Sequence, residues 1–432
     1  MATSKPIINQ LPLLDNQTMK FLTLIPMATS SPPLTTHFCE LCKSRQNLSR
    51  CSLCNVVWYC SRDHQMAHRS VHEQHCNSIE QNKAHTDAVR RNLNHHDFDL
   101  VSIHLMFHQT DGFVPIGGFV PGTFCTESNE TRAYLVQRNK LVEALLKVQT
   151  TEAVETALSH MMEMFRLSFR SNSLSLRGRI PALLLQLGRE QECYDFLKRW
   201  QYGSEVYDER DRVPKIVKNA DIFEPASQVM TSNLGVLIAT TLLKVKLIID
   251  LHFLHSTRNP LLLPCTLPQE LFDLIRSNGV GQAIKSRRCL IDGHYDLGPG
   301  IDYLFDDFLQ LYDAVNYQNR LFWPTLINAD PNHAIKLKYH HETTDPNMGV
   351  AIDNIQEQWV EGERVTYGPV RFTEKEMRFY MDQHHAAWAE TPGAIAIVRK
   401  VVEEGWTHKT WYGYEDEELD EGLEDEIDWR ST

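Results

Sequence analysis

Residues 39–76 read CELCKSRQNLSRCSLCNVVWYCSRDHQMAHRSVHEQHC and decide the fold of this part of the chain. Potential metal ligands occur here in four closely spaced pairs: Cys39 and Cys42, Cys51 and Cys54, Cys60 and His64, and His72 and Cys76. A tight turn in C-x2-C brings two thiolates to one ion, and residues four apart on a helix share a face. A structural zinc site takes four Cys or His ligands, so four pairs predict two zinc ions.

Two other interpretations of these residues are buried free thiols and disulfides. Disulfides require an oxidising compartment, and no other feature of the chain indicates one. The ligand spacing alone leaves open which pairs share an ion. Two sites with four protein ligands each would have no open position for water, so the predicted zinc is structural and not catalytic.

The order and spacing of the ligands resemble the MYND zinc finger, with Tyr59 as the aromatic residue before the fifth ligand. The sixth ligand is His64, where the family usually has cysteine. The resemblance covers under a tenth of the chain. It implies a cross-brace with two ligand sets, Cys39, Cys42, Cys60 and His64 on one ion and Cys51, Cys54, His72 and Cys76 on the other.

The resemblance also implies docking of short, often proline-containing segments of partner proteins. Family members in that role use a glutamine directly after the sixth ligand and a tryptophan four residues further. The corresponding residues here are Gln65 and Arg69, so the glutamine is kept and the tryptophan is lost. An aromatic ring is the usual platform for a proline-rich strand, so the loss of the tryptophan argues against this mode of binding. Arg69 would instead select an acidic or polar partner. The alternative is that Arg69 is a solvated helix residue.

Composition and charge limit the partners and locations expected for the whole chain. The 432 residues carry a net charge of −13, but Glu415–Asp428 holds ten carboxylates and no base, so the remainder is nearly neutral. Nucleic acid is therefore not an expected partner. The most apolar stretch, Leu234–Leu251, is interrupted by Lys244 and Lys246, which argues against a membrane span. Reduced thiols and the lack of a clear secretory signal favour the cytoplasm or the nucleus.

Apolar residues recur at helical spacing within residues 154–165, 180–187, 193–200 and 301–312. Gly188 separates the second and third of these stripes, which predicts a helical hairpin similar to the helix pairs of tetratricopeptide-like arrays. Thr391, followed by Pro392, is predicted to cap a C-terminal helix. The predicted fold class is mostly α, a two-zinc finger followed by a large helical domain. The predicted divisions are a flexible leader (1–36), the finger (37–78), a linker and irregular segment (79–138), the helical domain (139–410) and an acidic tail (411–432).

No catalytic motif of a common class is present: the chain lacks G-x-S-x-G, G-x4-G-K-[ST] and H-E-x-x-H. We therefore expect a non-enzymatic, zinc-binding adaptor that contacts protein partners through the finger and the helical body. Its expected role is regulatory, in transcription or alongside a ubiquitin ligase. One alternative is a lysine methyltransferase similar to the SET-MYND family. That family has SET sequence before the finger and an N-H-S-C-type motif after it, whereas Asn328–His333 reads NADPNH. The other alternative is a sequence-specific DNA-binding regulator.

Overall fold

The computed structural model describes residues 37–91, 129–168, 176–201, 217–229, 233–257, 268–291, 296–329, 356–360, 363–367 and 374–406. Helices account for most of these residues, so the predicted mostly α class is confirmed. The predicted leader, residues 92–128 of the predicted linker and the predicted acidic tail lie outside the described residues.

The N-terminal part consists of a short hairpin and two helices. Strands β1 (Ser49–Arg50) and β2 (Trp58–Tyr59) pair antiparallel. Helix α1 (Arg62–Ala67) begins after Ser61, whose hydroxyl accepts a hydrogen bond from the His64 backbone N–H at 3.2 Å, a typical N-cap contact. Helix α2 (Arg69–Arg91) follows directly and carries the last ligand pair.

The predicted linker of residues 79–138 needs correction where the structure describes it. Helix α2 continues without a break to Arg91, and helix α3 (Asn129–Leu146) begins before residue 139. These two helices pack against each other along much of their length. Burial of Ile79 in α2 and of Tyr134 and Leu135 in α3 explains why both helices extend into this range.

The body is a bundle of further helices. They are α4 (Thr151–Ser168), α5 (Leu176–Gln186), α6 (Glu190–Gln201), α7 (Leu234–Ser256), α8 (Gln269–Asn278), α9 (Gln282–Lys285), α10 (Arg288–Ile291), α11 (Gly298–Gln318), α12 (Phe322–Asn328), α13 (Glu374–Ala389) and α14 (Ala394–Glu404). The predicted hairpin at Gly188 is confirmed: α5 and α6 pack together, and Gly188 has a φ of 66°.

Helix α7 lies at the centre of the body, and its longest contact is with α11. Lys244 is buried, and its Nζ lies 2.8 Å from Asp307 Oδ2 of α11 and donates to the Glu224 carbonyl at 2.6 Å. A buried cation is tolerated in this core because it is paired and hydrogen-bonded. No helix within the described ranges is both long and apolar enough to cross a membrane.

Two details differ from the sequence expectations. The hydroxyl of Thr391 donates to the Ala387 carbonyl of the preceding helix at 2.8 Å, and α14 begins only after Gly393, whose φ is 83°. Thr391 is therefore not the predicted cap. An antiparallel pair, β3 (Gln356–Val360) and β4 (Glu363–Tyr367), also occurs in a region that carried no strand prediction.

The finger and the body share one hydrophobic core. Val56 and Ile79 on the finger side belong to the same buried cluster as Leu141 and Leu145 of α3. The Thr150 hydroxyl, at the start of α4, donates to the Val56 carbonyl at 2.6 Å. The finger thus packs against the helical body.

Candidate metal centre

The first ligand cluster comprises Cys39, Cys42, Cys60 and His64. Its potential ligand atoms all lie within 4.8 Å of one another. The imidazole Nδ1 of His64 is 3.1 Å from Cys60 Sγ and 3.6 Å from Cys39 Sγ, and the Sγ atoms of Cys42 and Cys60 are 3.5 Å apart. Cys39 is buried, Cys42 is exposed, and the other two are half-buried, so solvent reaches this cluster.

The second cluster comprises Cys51, Cys54, His72 and Cys76, and all four residues are buried. Cys51 Sγ lies 3.6 Å from Cys76 Sγ, and Cys54 Sγ lies 3.5 Å from His72 Nε2. His72 and Cys76 stand one turn apart on α2, whereas the other two residues belong to the loop between β1 and β2. A zinc ion bound by this cluster would tie the hairpin to the long helix.

These distances fit tetrahedral zinc. Ligands at ordinary Zn–S and Zn–N bond lengths place two sulfurs about 3.8 Å apart and a sulfur and a nitrogen about 3.6 Å apart. The Sγ–Sγ distances of 3.5 and 3.6 Å and the Sγ–N distances of 3.1 to 3.6 Å lie close to these values. The side-chain arrangement is thus suitable for two ions, with Nδ1 of His64 and Nε2 of His72 as the nitrogens.

The ionisation of the thiols also fits cation binding. Burial by itself would raise the pKa of Cys39, but N–H groups of Cys42, Cys60 and Leu41 lower it to about 6. Burial and the neighbouring thiols Cys42 and Cys39 raise the pKa of Cys60 to about 11. One thiolate thus opposes ionisation of the next. A divalent cation removes that repulsion, because metal ligation requires the deprotonated form.

In the buried cluster the thiols also oppose one another's ionisation. Burial, with repulsion from Cys51, raises the pKa of Cys54, and burial with repulsion from Cys54 raises that of Cys76. Burial also lowers the pKa of His72, which keeps its imidazole neutral and able to ligate a metal.

Aromatic and histidine side chains around the ligands have partners. The Tyr59 hydroxyl forms a 3.0 Å hydrogen bond with His68 Nδ1, and the His68 ring stacks on His72 with centroids 5.9 Å apart. His68 is in neither cluster. Trp58 stacks on His37 at 4.5 Å between centroids, and the Arg50 guanidinium lies 4.6 Å from the Trp58 ring.

Glu152 of α4 joins this aromatic group to the body. Its carboxylate lies 3.0 Å from Arg50 and 3.6 Å from the His37 ring. Sequence reasoning did not single out Glu152, because nothing in its local pattern indicates a contact about a hundred residues away. An acidic residue in the first turn of α4 is equally consistent with a favourable interaction with the helix dipole.

Both predicted partner-binding residues are at least partly exposed. Gln65 is half-buried in α1 and Arg69, the first residue of α2, is exposed. Arg69 Nη2 lies 3.1 Å from Glu73 Oε1 one turn further along. The structure therefore gives Arg69 an acidic neighbour within its own helix.

A β-hairpin and two helices around paired Cys/His clusters define a small zinc-binding finger of the two-ion class. Residues 39–76 match the family model of the MYND finger, so the chain contains a MYND finger over these residues. MYND fingers bind zinc and mediate protein–protein interactions, and the two clusters could hold two zinc ions. That these eight residues are the ligands stays a prediction.

Comparison with curated proteins gave no match, and comparison with solved structures gave none. The predicted similarity of the α5–α6 hairpin to tetratricopeptide-like pairs therefore stays a prediction.

Proposed function

We propose that this protein is a zinc-dependent adaptor that binds partner proteins through its MYND finger and catalyses no reaction itself. The proposal places it in the cytoplasm or the nucleus, in a regulatory role in transcription or alongside a ubiquitin ligase. The observation that carries it is a set of exposed apolar side chains within the finger. Four aliphatic side chains there are 45 to 66% exposed: Leu41, Leu53, Met66 and Val71.

Single exposed apolar residues are normal on any protein. Four in one module of 38 residues are more informative, because this module belongs to a family that mediates protein contacts. Apolar side chains exposed in excess of the ordinary surface can mark interaction sites. Met66 lies next to Gln65, the family position implied in partner docking.

The chemistry of the finger surface favours a partner segment with aliphatic side chains over a proline-rich strand. Tyr59 is buried, and Trp58 is half-buried, with the His37 ring stacked on it and the Arg50 guanidinium 4.6 Å from its ring centroid. Burial removes Tyr59 as a platform for proline, and the Trp58 ring already has two neighbours that a proline would have to displace or share. Arg69 and Glu73 are both exposed, so their ion pair contributes little and the guanidinium remains available to a partner carboxylate.

The test compares variants of the full zinc-loaded chain in a quantitative pull-down from cell extract. Met66→Glu and Val71→Glu place charge on the finger surface, and Leu271→Glu is the matched control, since Leu271 on α8 of the body is 47% exposed. We expect the two finger variants to lose a set of captured proteins that the control retains. Elemental analysis checks that each variant still carries its zinc.

Loss of captured proteins with Leu271→Glu alone would assign binding to the body and overturn the finger-based adaptor. Methyl transfer from S-adenosylmethionine to protein substrates would replace the proposal with the methyltransferase alternative. Tight, sequence-selective DNA binding at physiological salt would replace it with the DNA-binding alternative.

A further inference from the structure

A half-open cleft of 240 Å³ lies on the seam between the finger and the body. Its walls come from the finger loop around Cys54–Val56 and from α2, α3 and α4. The buried floor is apolar, with Ile79, Leu141 and Leu145. The cleft is smaller than the roughly 300–1,000 Å³ typical of drug-sized ligands. It therefore suits one or two side chains of a peptide better than a whole cofactor.

Cations outnumber carboxylates on the walls of the cleft: four basic side chains face it, against Asp87 and Glu152. Two of the basic side chains have an acidic partner, since Arg50 pairs with Glu152 and Arg138 pairs with Glu163.

The other two basic side chains, Lys83 and Arg90, form no ion pair among the residues that the structure describes. They stand seven residues apart on α2, which separates them by about 10 Å along the helix axis. Both residues therefore lie on the same face of α2, two turns apart. An acidic segment across the cleft could therefore engage both.

A half-buried neutral donor, the ring of His160, adds to this preference. Arg138 is buried, and its Nε donates to His160 Nδ1 at 3.0 Å. A ring nitrogen that accepts a hydrogen bond carries no proton, so the proton of a neutral His160 is on Nε2, which is a donor. The cleft thus combines an apolar floor with cationic and neutral donors.

The geometry points to a peptide ligand with an apolar side chain between carboxylates, and we propose that the occupant is this chain's own segment Glu415–Asp428. That segment holds ten carboxylates and no base, and leucines occur at 419 and 423 within it. A bound extended peptide presents alternate residues to one face. Glu417, Leu419 and Glu421 alternate in this way in the sequence, which complements a floor flanked by Lys83 and Arg90.

The first arm of the test measures the affinity of a labelled synthetic peptide with the sequence of residues 415–428. The receptor is the full zinc-loaded chain in which the ten carboxylates of that segment are changed to amides, at physiological salt. We expect saturable binding that Lys83→Glu and Arg90→Glu together weaken about tenfold or more. Arg91→Glu is the matched control, because Arg91 is exposed on the same helix and does not line the cleft. A peptide with Leu419→Ser should also bind more weakly.

The second arm repeats the titration with the unaltered full chain. An occupied cleft competes with added peptide, so the unaltered chain should bind it at least tenfold more weakly than the amide variant. Equal affinity for the two proteins would overturn the proposal. So would equal weakening by Arg91→Glu and Arg90→Glu, since that result means diffuse charge attraction. Competition that grows with protein concentration, together with self-association, would assign the occupant to a second copy and overturn occupancy within one chain.

Discussion

The two ligand clusters have the same chemistry and different surroundings. Each consists of three cysteines and one histidine, and each could hold one zinc ion. The first cluster includes exposed Cys42, whereas every residue of the second is buried. The second also draws half of its residues from α2, the helix that packs on the body. Equal ligand sets therefore do not imply equal structural roles.

The difference follows from what covers each cluster. Cys54 lies at the seam cleft, and Val56, two residues further, accepts the hydrogen bond from Thr150 of the body. The first cluster is formed before and within the short helix α1, whose residues are not buried. We infer that the second cluster anchors the finger to the body and that the first organises the outer surface of the finger.

Removal of both ions should have the largest effect. Structural zinc contributes on the order of 10 kcal/mol to the folding of isolated finger peptides. A strong chelator should therefore unfold residues 39–76, while circular dichroism retains most of the helical signal of the body. Because finger and body share a core, hydrogen exchange should quicken in α3 and α4 as well. Unchanged exchange in both helices would show that the finger is an independent unit.

Disruption of the buried cluster alone should have the second largest effect on stability. Cys76→Ser should reduce the zinc content from two ions per chain to one and lower the exchange protection of α2 and α3, because an ion bound by Cys76 would hold α2 to the hairpin. Elemental analysis and hydrogen exchange by mass spectrometry measure the two effects. Cys289→Ser is the control, since Cys289 is an exposed cysteine outside both clusters. Intact protection of α2 in Cys76→Ser would contradict the anchoring role.

Disruption of the exposed cluster should have a smaller effect. Cys42→Ser should also lose one ion, yet protection of α2 and α3 should persist. In the unaltered chain a competing chelator should remove one ion faster than the other, and Cys42→Ser should lack the fast phase. A single release phase in the unaltered chain would mean that burial does not separate the two sites.

Substitutions of His64, the predicted sixth ligand, test which side chains can complete the ligand set of the same cluster. His64→Cys should retain both ions, because either side chain completes a tetrahedral set, whereas His64→Ala should retain one. His68, the neighbouring imidazole, is already bonded to the Tyr59 hydroxyl. Two ions in His64→Ala would nevertheless assign ligation to such a neighbour.

The sequence predicted the local features of this molecule well. Ligand spacing between residues 39 and 76, helical stripes and the turn at Gly188 depend on residues that are close in sequence, where the physical constraints are short-ranged. The membership of each cluster came from resemblance and not from spacing, because four pairs can combine in more than one way.

The seam between finger and body could not be predicted from the sequence. Glu152 contacts Arg50, and Thr150 contacts Val56, across about a hundred residues. Capping of the helix is enough to explain polar residues at its start, so their presence in the sequence does not indicate a contact with a distant residue. The helix through residues 79–91 was also missed as a definite element, because its polar sequence has few apolar residues that mark a buried face.

Removal of the Thr150 hydroxyl, which lies where the finger meets the body, should have the smallest effect. Thr150→Val keeps the shape of the side chain but removes the hydrogen bond to Val56 and the one that the Ala153 N–H donates to the same hydroxyl at 3.3 Å. The expected loss of unfolding free energy is about 1–2 kcal/mol, measured by denaturant titration of the zinc-loaded chain. Thr150→Ser keeps the hydroxyl and should retain most of that stability.

After chelation the finger no longer presents the Val56 carbonyl, so the difference in stability between the unaltered chain and the Thr150→Val variant should shrink to the helix-capping part alone. An undiminished difference after chelation would mean that Thr150 stabilises only its own helix, and that the buried zinc cluster is not coupled to the body through this bond.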